Sequence, residues 1–119
     1  MNDDEPRWPA AWVRASLELG VLGALAQGSL HGYAIAQELA GRGFGLLKGG
    51  SLYPLLNRLE ETGDLRAAWV EGQSGPGRRE YTITEAGRAR WRRDLLAWQQ
   101  LGEELAALGQ HDREGAQHG

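Results

Sequence analysis

The chain contains no cysteine, which removes disulfides and thiolate metal sites and permits a reducing compartment such as the cytoplasm. No apolar run approaches the ~20 residues that span a bilayer. The acidic opening Asp3-Asp4-Glu5 has the wrong sign for a secretory leader. Histidine is scarce: of three, only His31 precedes residue 111. It has no acidic partner at metal-ligand spacing, so a structural role is expected and no metal or other cofactor is implied. Hydroxyls and carboxylates show neither nucleophile–base spacing nor paired carboxylates in a cleft pattern. Gly41, Gly43 and Gly45 lack the preceding strand and following helix that a phosphate-cradling loop requires. An enzyme is therefore not expected. Lysine is nearly absent too, with Lys48 alone beside twelve arginines.

What is present suits a single globular domain: 119 residues, 41% hydrophobic and 24% charged. The formal net charge of -3 speaks against a nucleic-acid partner, but its distribution does not. Between Lys48 and Arg93, nine basic residues face six acidic ones, an excess of +3. The acids gather at the termini and at Glu103-Glu104, and local sign governs phosphate contact.

The most informative stretch runs from Gly49 to Gly63. Leu52, Leu55, Leu56 and Leu59 recur at helical spacing, which predicts a helix over about 51–62 with one buried stripe. Ser51 suits its N-cap, Pro54 its first turn, and Gly63 a left-handed C-cap. The other face carries Tyr53, Pro54, Asn57, Arg58 and Glu61, a mixture unlike an idle surface helix. It reads as a recognition helix for DNA, with Lys48 ahead of it in reach of a phosphate.

Upstream, residues 1–7 read as a polar tail. A first helix over about 9–26 has two apolar stripes, one with Trp8, Trp12 and Leu19, the other with Leu17, Val21 and Leu25. One packs on its own domain; the other wants a second surface. Arg14 and Glu18 form an i,i+4 pair of the kind that usually lies in solvent. Leu30-His31-Gly32-Tyr33 opens a shorter helix ending near Gly41, and Phe44 is expected to plug the core from a loop.

Downstream, alternation over 65–84 predicts a two-stranded hairpin with a Gly-rich tip at 72–77 and Arg78 and Arg79 at its far end. A hairpin after a helix-turn-helix is a wing. Thr84 then caps a long helix, with Glu85 at its positive end. Trp91, Trp98 and Leu105 are seven apart, with Leu95, Leu101 and Leu108 beside them, a coiled-coil-like seam. Nothing later in the chain is left to cover it. Burying each indole removes roughly 150–250 Å² of surface at about 25 cal/mol per Å², so dimerisation through this helix and the first is expected. The fold class is mainly α with a small β-hairpin: a winged helix-turn-helix domain over 8–84, a dimerisation helix over 85–109 and a flexible tail over 110–119.

Three motifs resemble the PadR-like family of bacterial transcriptional regulators. They are Leu30-His31-Gly32-Tyr33, then Gly50-Ser51-Leu52-Tyr53-Pro54-Leu55-Leu56 with Arg58-Leu59-Glu60, and then Arg79-Glu80-Tyr81 running into Ile83-Thr84-Glu85-Ala86-Gly87. Together they cover roughly Leu19 to Leu101, and the single terminal helix is similar to the smaller subgroup. The resemblance implies a cytoplasmic, nucleoid-associated homodimer on a palindromic operator, usually a repressor of a nearby gene. It implies DNA contacts from Ser51, Tyr53, Pro54, Asn57 and Arg58, and from Arg78 and Arg79 through the wing. It also implies a possible aromatic inducer stacking on Trp98 at the dimer interface. Glu80 departs from the family, where a basic residue commonly precedes the tyrosine. The competing reading is a winged helix that binds another protein and not DNA.

Overall fold

The helix-spaced leucines of the central stretch meet similar stripes from both neighbours, and this convergence sets the architecture. The computed structural model describes residues 4–72 and 75–118, with 111–118 by backbone alone. In chain order the elements are α1 (Ala10–Leu25), β1 (Leu30–His31), α2 (Gly32–Gly41), α3 (Gly49–Glu61), β2 (Leu65–Val70), β3 (Arg78–Ile83) and α4 (Glu85–His118). Leu17, Val21, Leu22 and Leu25 of α1 close over Ile35 and Leu39 of α2 and over the four leucines of α3. Leu65, Tyr81 and Ile83 seal this core from the sheet side. Leu22, Leu56 and Leu59 are fully buried, each contributing about 1.5–3 kcal/mol of transfer free energy. Phe44 packs against the same core from its loop.

The sheet has three strands where two were expected, in the order β1-β3-β2 and antiparallel throughout. Leu30 and His31 do not open a helix. They lie extended and pair with Tyr81 and Glu80, while the Ser29 and Thr82 hydroxyls meet at 2.6 Å. A two-residue strand is too short to show alternation, so only the partner strand reveals it. The expected hairpin forms, with Leu65 opposite Ile83 and Val70 opposite Arg78. Gln73 and Ser74 of its tip lie outside the described residues.

The end of α3 explains how the wing is aimed. Gly63 is left-handed at φ +85°, and the amides of Gly63 and Asp64 return to the carbonyls of Glu60 and Leu59 at 3.1 and 2.9 Å. This double closure is a Schellman motif, and only glycine takes its left-handed position without strain. The turn then docks on the start of α4. Thr84 accepts the Gly87 amide at 3.0 Å, the N-cap bond expected of it, and its hydroxyl donates to the Gly63 carbonyl at 2.6 Å. The Thr84 amide in turn donates to the Asp64 carbonyl at 3.1 Å. Gly87 lies so close to that carbonyl that a side chain there would run into backbone.

Three expected boundaries are corrected. Residues 4–7 are not a free tail: the Arg7 amide donates to the Gly43 carbonyl at 2.7 Å, and the Leu46 amide to the Asp4 carbonyl at 3.2 Å. These loop amides and carbonyls give the segment a backbone ladder to join. Second, α3 begins at Gly49, with Lys48 at the N-cap and no side-chain cap bond. Ser51 is therefore inside the first turn, its amide donating to the Lys48 carbonyl at 2.9 Å. Pro54 sits deeper than the first turn, where its ring forgoes one helical bond. Third, α4 is not ended at residue 109 but runs to His118, because Gly109 keeps an ordinary backbone without positive φ. The helix is ~50 Å long at 1.5 Å per residue. It lifts the radius of gyration to 18.0 Å, against about 13–14 Å for a compact chain of this length.

Gly87→Ala is expected to cost about 1–3 kcal/mol by overpacking against the Asp64 carbonyl. Denaturant titration should show a lower midpoint at unchanged slope; an unchanged midpoint would mean that the α4 start moves freely from the turn.

Candidate nucleic-acid interface

Amphipathicity decides which face of α3 is available. With Leu52, Leu55, Leu56 and Leu59 turned inward, Ser51, Tyr53, Pro54, Asn57, Arg58 and Glu61 are left exposed. Lys48 is exposed at the start of the helix, and Arg78 and Arg79 on the wing. These groups are not equally free. Asn57 lies mid-face. Tyr53 is 46% exposed and leans on the first residue of α2, where a methyl group on Gly32 would fall 2.7 Å from its hydroxyl oxygen. The glycine of the His31-Gly32-Tyr33 motif thus makes room for the Tyr53 ring.

The two arginines nearest the face are held by carboxylates. Arg58 donates through Nε and Nη2 to Glu18 Oε2 at 3.0 and 2.6 Å, drawing its guanidinium toward α1. Arg79 donates to both oxygens of Glu60 at 3.0 and 2.9 Å, bridging wing and recognition helix. Beneath that bridge an open groove of about 320 Å³ is lined by Asn57, Glu60, Glu61 and Arg79.

Glu18 does not pair with Arg14 as spacing suggests. Its second oxygen accepts from Arg90 Nη2 at 2.7 Å, and Arg90 also reaches Asp64 at 2.8 Å and Asp94 at 3.3 Å. One guanidinium therefore joins α1, the turn after α3, and α4. Asp64 is buried, and it accepts from the Thr62 hydroxyl at 2.8 Å. Burial pushes the Glu18 carboxyl up, but hydrogen bonds from Arg90 and Arg58 outweigh this and hold it below its ordinary range. The Glu18 hydrogen bond leads the interactions that raise the already basic Arg90 further. Nothing in local spacing marks this network, since Glu18 and Arg90 are 72 residues apart.

The expected interface residues divide into two groups. Trp91 packs on its own core, its indole nitrogen 3.1 Å from where a methyl on Gly23 of α1 would lie. Leu19 is half-buried, whereas Trp8, Trp12 and Leu95 are exposed. Exposure rises along α4 from 39% at Trp98 to 50% at Leu101, 63% at Leu105 and 64% at Leu108, so the seam stands clear of the described body. Trp8 meets Phe44 edge-on at 5.7 Å. Those two rings, with Trp12, Val13, Ser16 and Trp98, line an open apolar cavity of about 250 Å³. His31 lies half-buried beside Tyr33. Among the described residues no cluster of three or more acids and histidines is placed to hold a metal. No described helix is long and apolar enough to cross a membrane.

The family model for the transcriptional regulator PadR-like family matches residues 21–93, from the middle of α1 into α4. The chain belongs to that family. It is 36% identical over 98 residues to the transcriptional regulator Rv3488 of Mycobacterium tuberculosis, covering 82% of this chain and 90% of that one. A PadR family transcriptional regulator from Eggerthella lenta is 32% identical, with a TM-score of 0.74 over 82% of this chain and 85% of that one. Bacillus subtilis PadR, solved in complex with operator DNA, is 27% identical with a TM-score of 0.59 over 66% of this chain and 46% of that one. This PadR-like protein is thus a transcriptional regulator with the winged-helix fold of its relatives.

Arg90→Met should destabilise the fold by about 1–3 kcal/mol, below the cost of breaking a fully buried pair because the guanidinium is partly solvated. The Glu18 contribution has its own pH signature. A carboxyl held low in the folded state stabilises above its unfolded pKa, and that part is lost as pH falls through the folded value. Glu18→Gln should therefore flatten the stability profile below about pH 4. An identical acid limb in the variant would show that Glu18 is not coupled to folding.

Proposed function

We propose that this regulator acts as a homodimer that binds a palindromic operator and represses a nearby gene. The exposed polar face of α3 beside an arginine-bearing wing carries the reading. In it, α3 enters the major groove with Asn57 or Arg58 at base edges, while Lys48, Ser51, Tyr53 and Pro54 lie against the backbone. Arg78 and Arg79 meet phosphate through the wing. The operator complex of the Bacillus subtilis relative supports duplex DNA as the partner over a protein.

The dimer half of the reading is supported by the open seam of Trp98, Leu101, Leu105 and Leu108. An apolar stripe of this length on an otherwise polar helix suits a second copy. A two-fold pair sets the recognition helices for half-sites about one turn apart, ~34–36 Å. The cavity of Trp8, Trp12, Phe44 and Trp98 adjoins the same seam, and a planar hydrophobic inducer bound there would alter the spacing of the two α3 helices.

Selection from a random duplex pool tests the reading directly, and half-sites one turn apart are expected. Replacing both Arg78 and Arg79 with alanine should weaken binding and reduce the salt slope by about 0.9 for each phosphate that is no longer neutralised; an unchanged slope removes the wing from the interface. Leu105→Asp should cost about 2 kcal/mol at each of two symmetric sites. Sedimentation should then show a monomer where the parent chain is a dimer, and a parent that sediments as a monomer at micromolar concentration overturns the assembly.

A further inference from the structure

The most exposed of the described tryptophans stands at the wing, where neither the core nor the helical seam accounts for it. Trp69 is 67% exposed. Its strand explains its direction. Leu65 and Ala67, four and two residues earlier, share its face of the sheet and pack on the core beside Tyr81 and Ile83. Trp69 continues that row beyond the last core residue, directly opposite Arg79. The Arg79 guanidinium reaches Glu60 of α3, so this face of the wing looks toward the recognition helix.

The indole is also seated. A methyl group on Gly77 would fall 2.5 Å from Trp69 Nε1 and 2.7 Å from Cε2, and 2.8 Å from the Val70 carbonyl. Gly77 has no positive φ, so its lack of a side chain serves space rather than backbone conformation. One edge of the ring therefore rests on the chain entering strand β3 while most of its surface stays open. A large ring placed this way, with Arg79 opposite it on the same face of the hairpin, presents an apolar plate next to a guanidinium. That chemistry fits a surface which is itself part anionic and part apolar, such as the deoxyribose and phosphate wall of a duplex.

We propose that Trp69 is a DNA-contacting residue, laying its open face on the sugar–phosphate wall flanking the groove that α3 enters. The assignment rests on the duplex-binding reading above, and it adds an uncharged contact to the cationic ones of the wing arginines. Arginine supplies attraction that salt screens; the indole supplies contact area that salt does not. Burying the ring against sugars also fixes the wing's distance from the backbone, which selects for groove shape at base pairs that no side chain touches.

Two measurements test it on the full-length protein, using a fluorescein-labelled duplex recovered from random-pool selection. Trp69→Ala should weaken binding roughly 5- to 10-fold, at the low end of aromatic stacking effects, with the salt slope unchanged because no counterion is released by an indole. Trp69→Phe should restore most of the affinity. Wild-type affinity in the alanine variant, or a weakening that comes entirely as a change of slope, overturns the proposal. Should the alanine variant fail to fold, the parent protein labelled with fluorotryptophan still decides. The fluorine resonance absent from Trp69→Phe should shift on adding duplex, and a resonance that does not move overturns the proposal. If the parent associates with no duplex even at low salt, the DNA reading falls and the indole's role falls with it. A parent that binds normally alongside an indifferent Trp69 defeats this inference alone.

Discussion

A single guanidinium holds the three parts of this fold in register. Arg90 projects from α4 between Glu18 of α1 and Asp64 in the turn that follows α3, and hydrophobic packing alone would not fix these elements so closely. Apolar contacts are non-directional, and leucine stripes tolerate small slides and rotations. Charge-assisted hydrogen bonds of 2.7 and 2.8 Å do not. Because Glu18 also accepts from Arg58, the network reaches the recognition helix itself. The angle at which α3 leaves the body is thus set by an ionic cluster on one side and by the Schellman turn on the other.

The parts of this arrangement that were legible beforehand are those written within a few residues. The stripe of Leu52, Leu55, Leu56 and Leu59, the left-handed Gly63, the hairpin with its Gly-rich tip and the Thr84 cap each depend on neighbours within a turn or a strand. The exposed face of α3 follows from the stripe by exclusion. What escaped depends on partners remote in sequence. Leu30 and His31 are extended only because Tyr81 and Glu80 are there to pair with them. Glu18 turns from Arg14, four residues away, to Arg90 because the assembled body brings α4 to it. Trp91 shares a heptad position with Trp98, yet it lies low enough on α4 to pack beside Gly23, while Trp98, one heptad on, lines an open cavity with Trp12, Val13 and Ser16 of α1. Heptad spacing alone cannot tell an indole packed on its own core from one left largely open.

The exposed face of α3 and the wing also show how guanidinium groups are kept ordered in a chain of net charge -3. Its arginines are not bare: Arg58 faces Glu18 and Arg79 faces Glu60. Both arginines are more than half exposed, and such surface pairs contribute only about 0–1 kcal/mol. A phosphate can therefore displace the carboxylate at small cost, while the pairing keeps the guanidinium ordered in its absence. Carboxylates so placed also lower the net positive charge that this face presents.

The stitching of residues 4–7 onto the Gly43–Leu46 loop has a mechanical corollary. Phe44 forms a wall of the aromatic cavity and stands four positions before Lys48, the N-cap of α3. Between them, Pro6 is packed against Gly45, so the intervening backbone has little slack to take up a shift. A displacement of the Phe44 wall is consequently handed along the backbone to the start of α3.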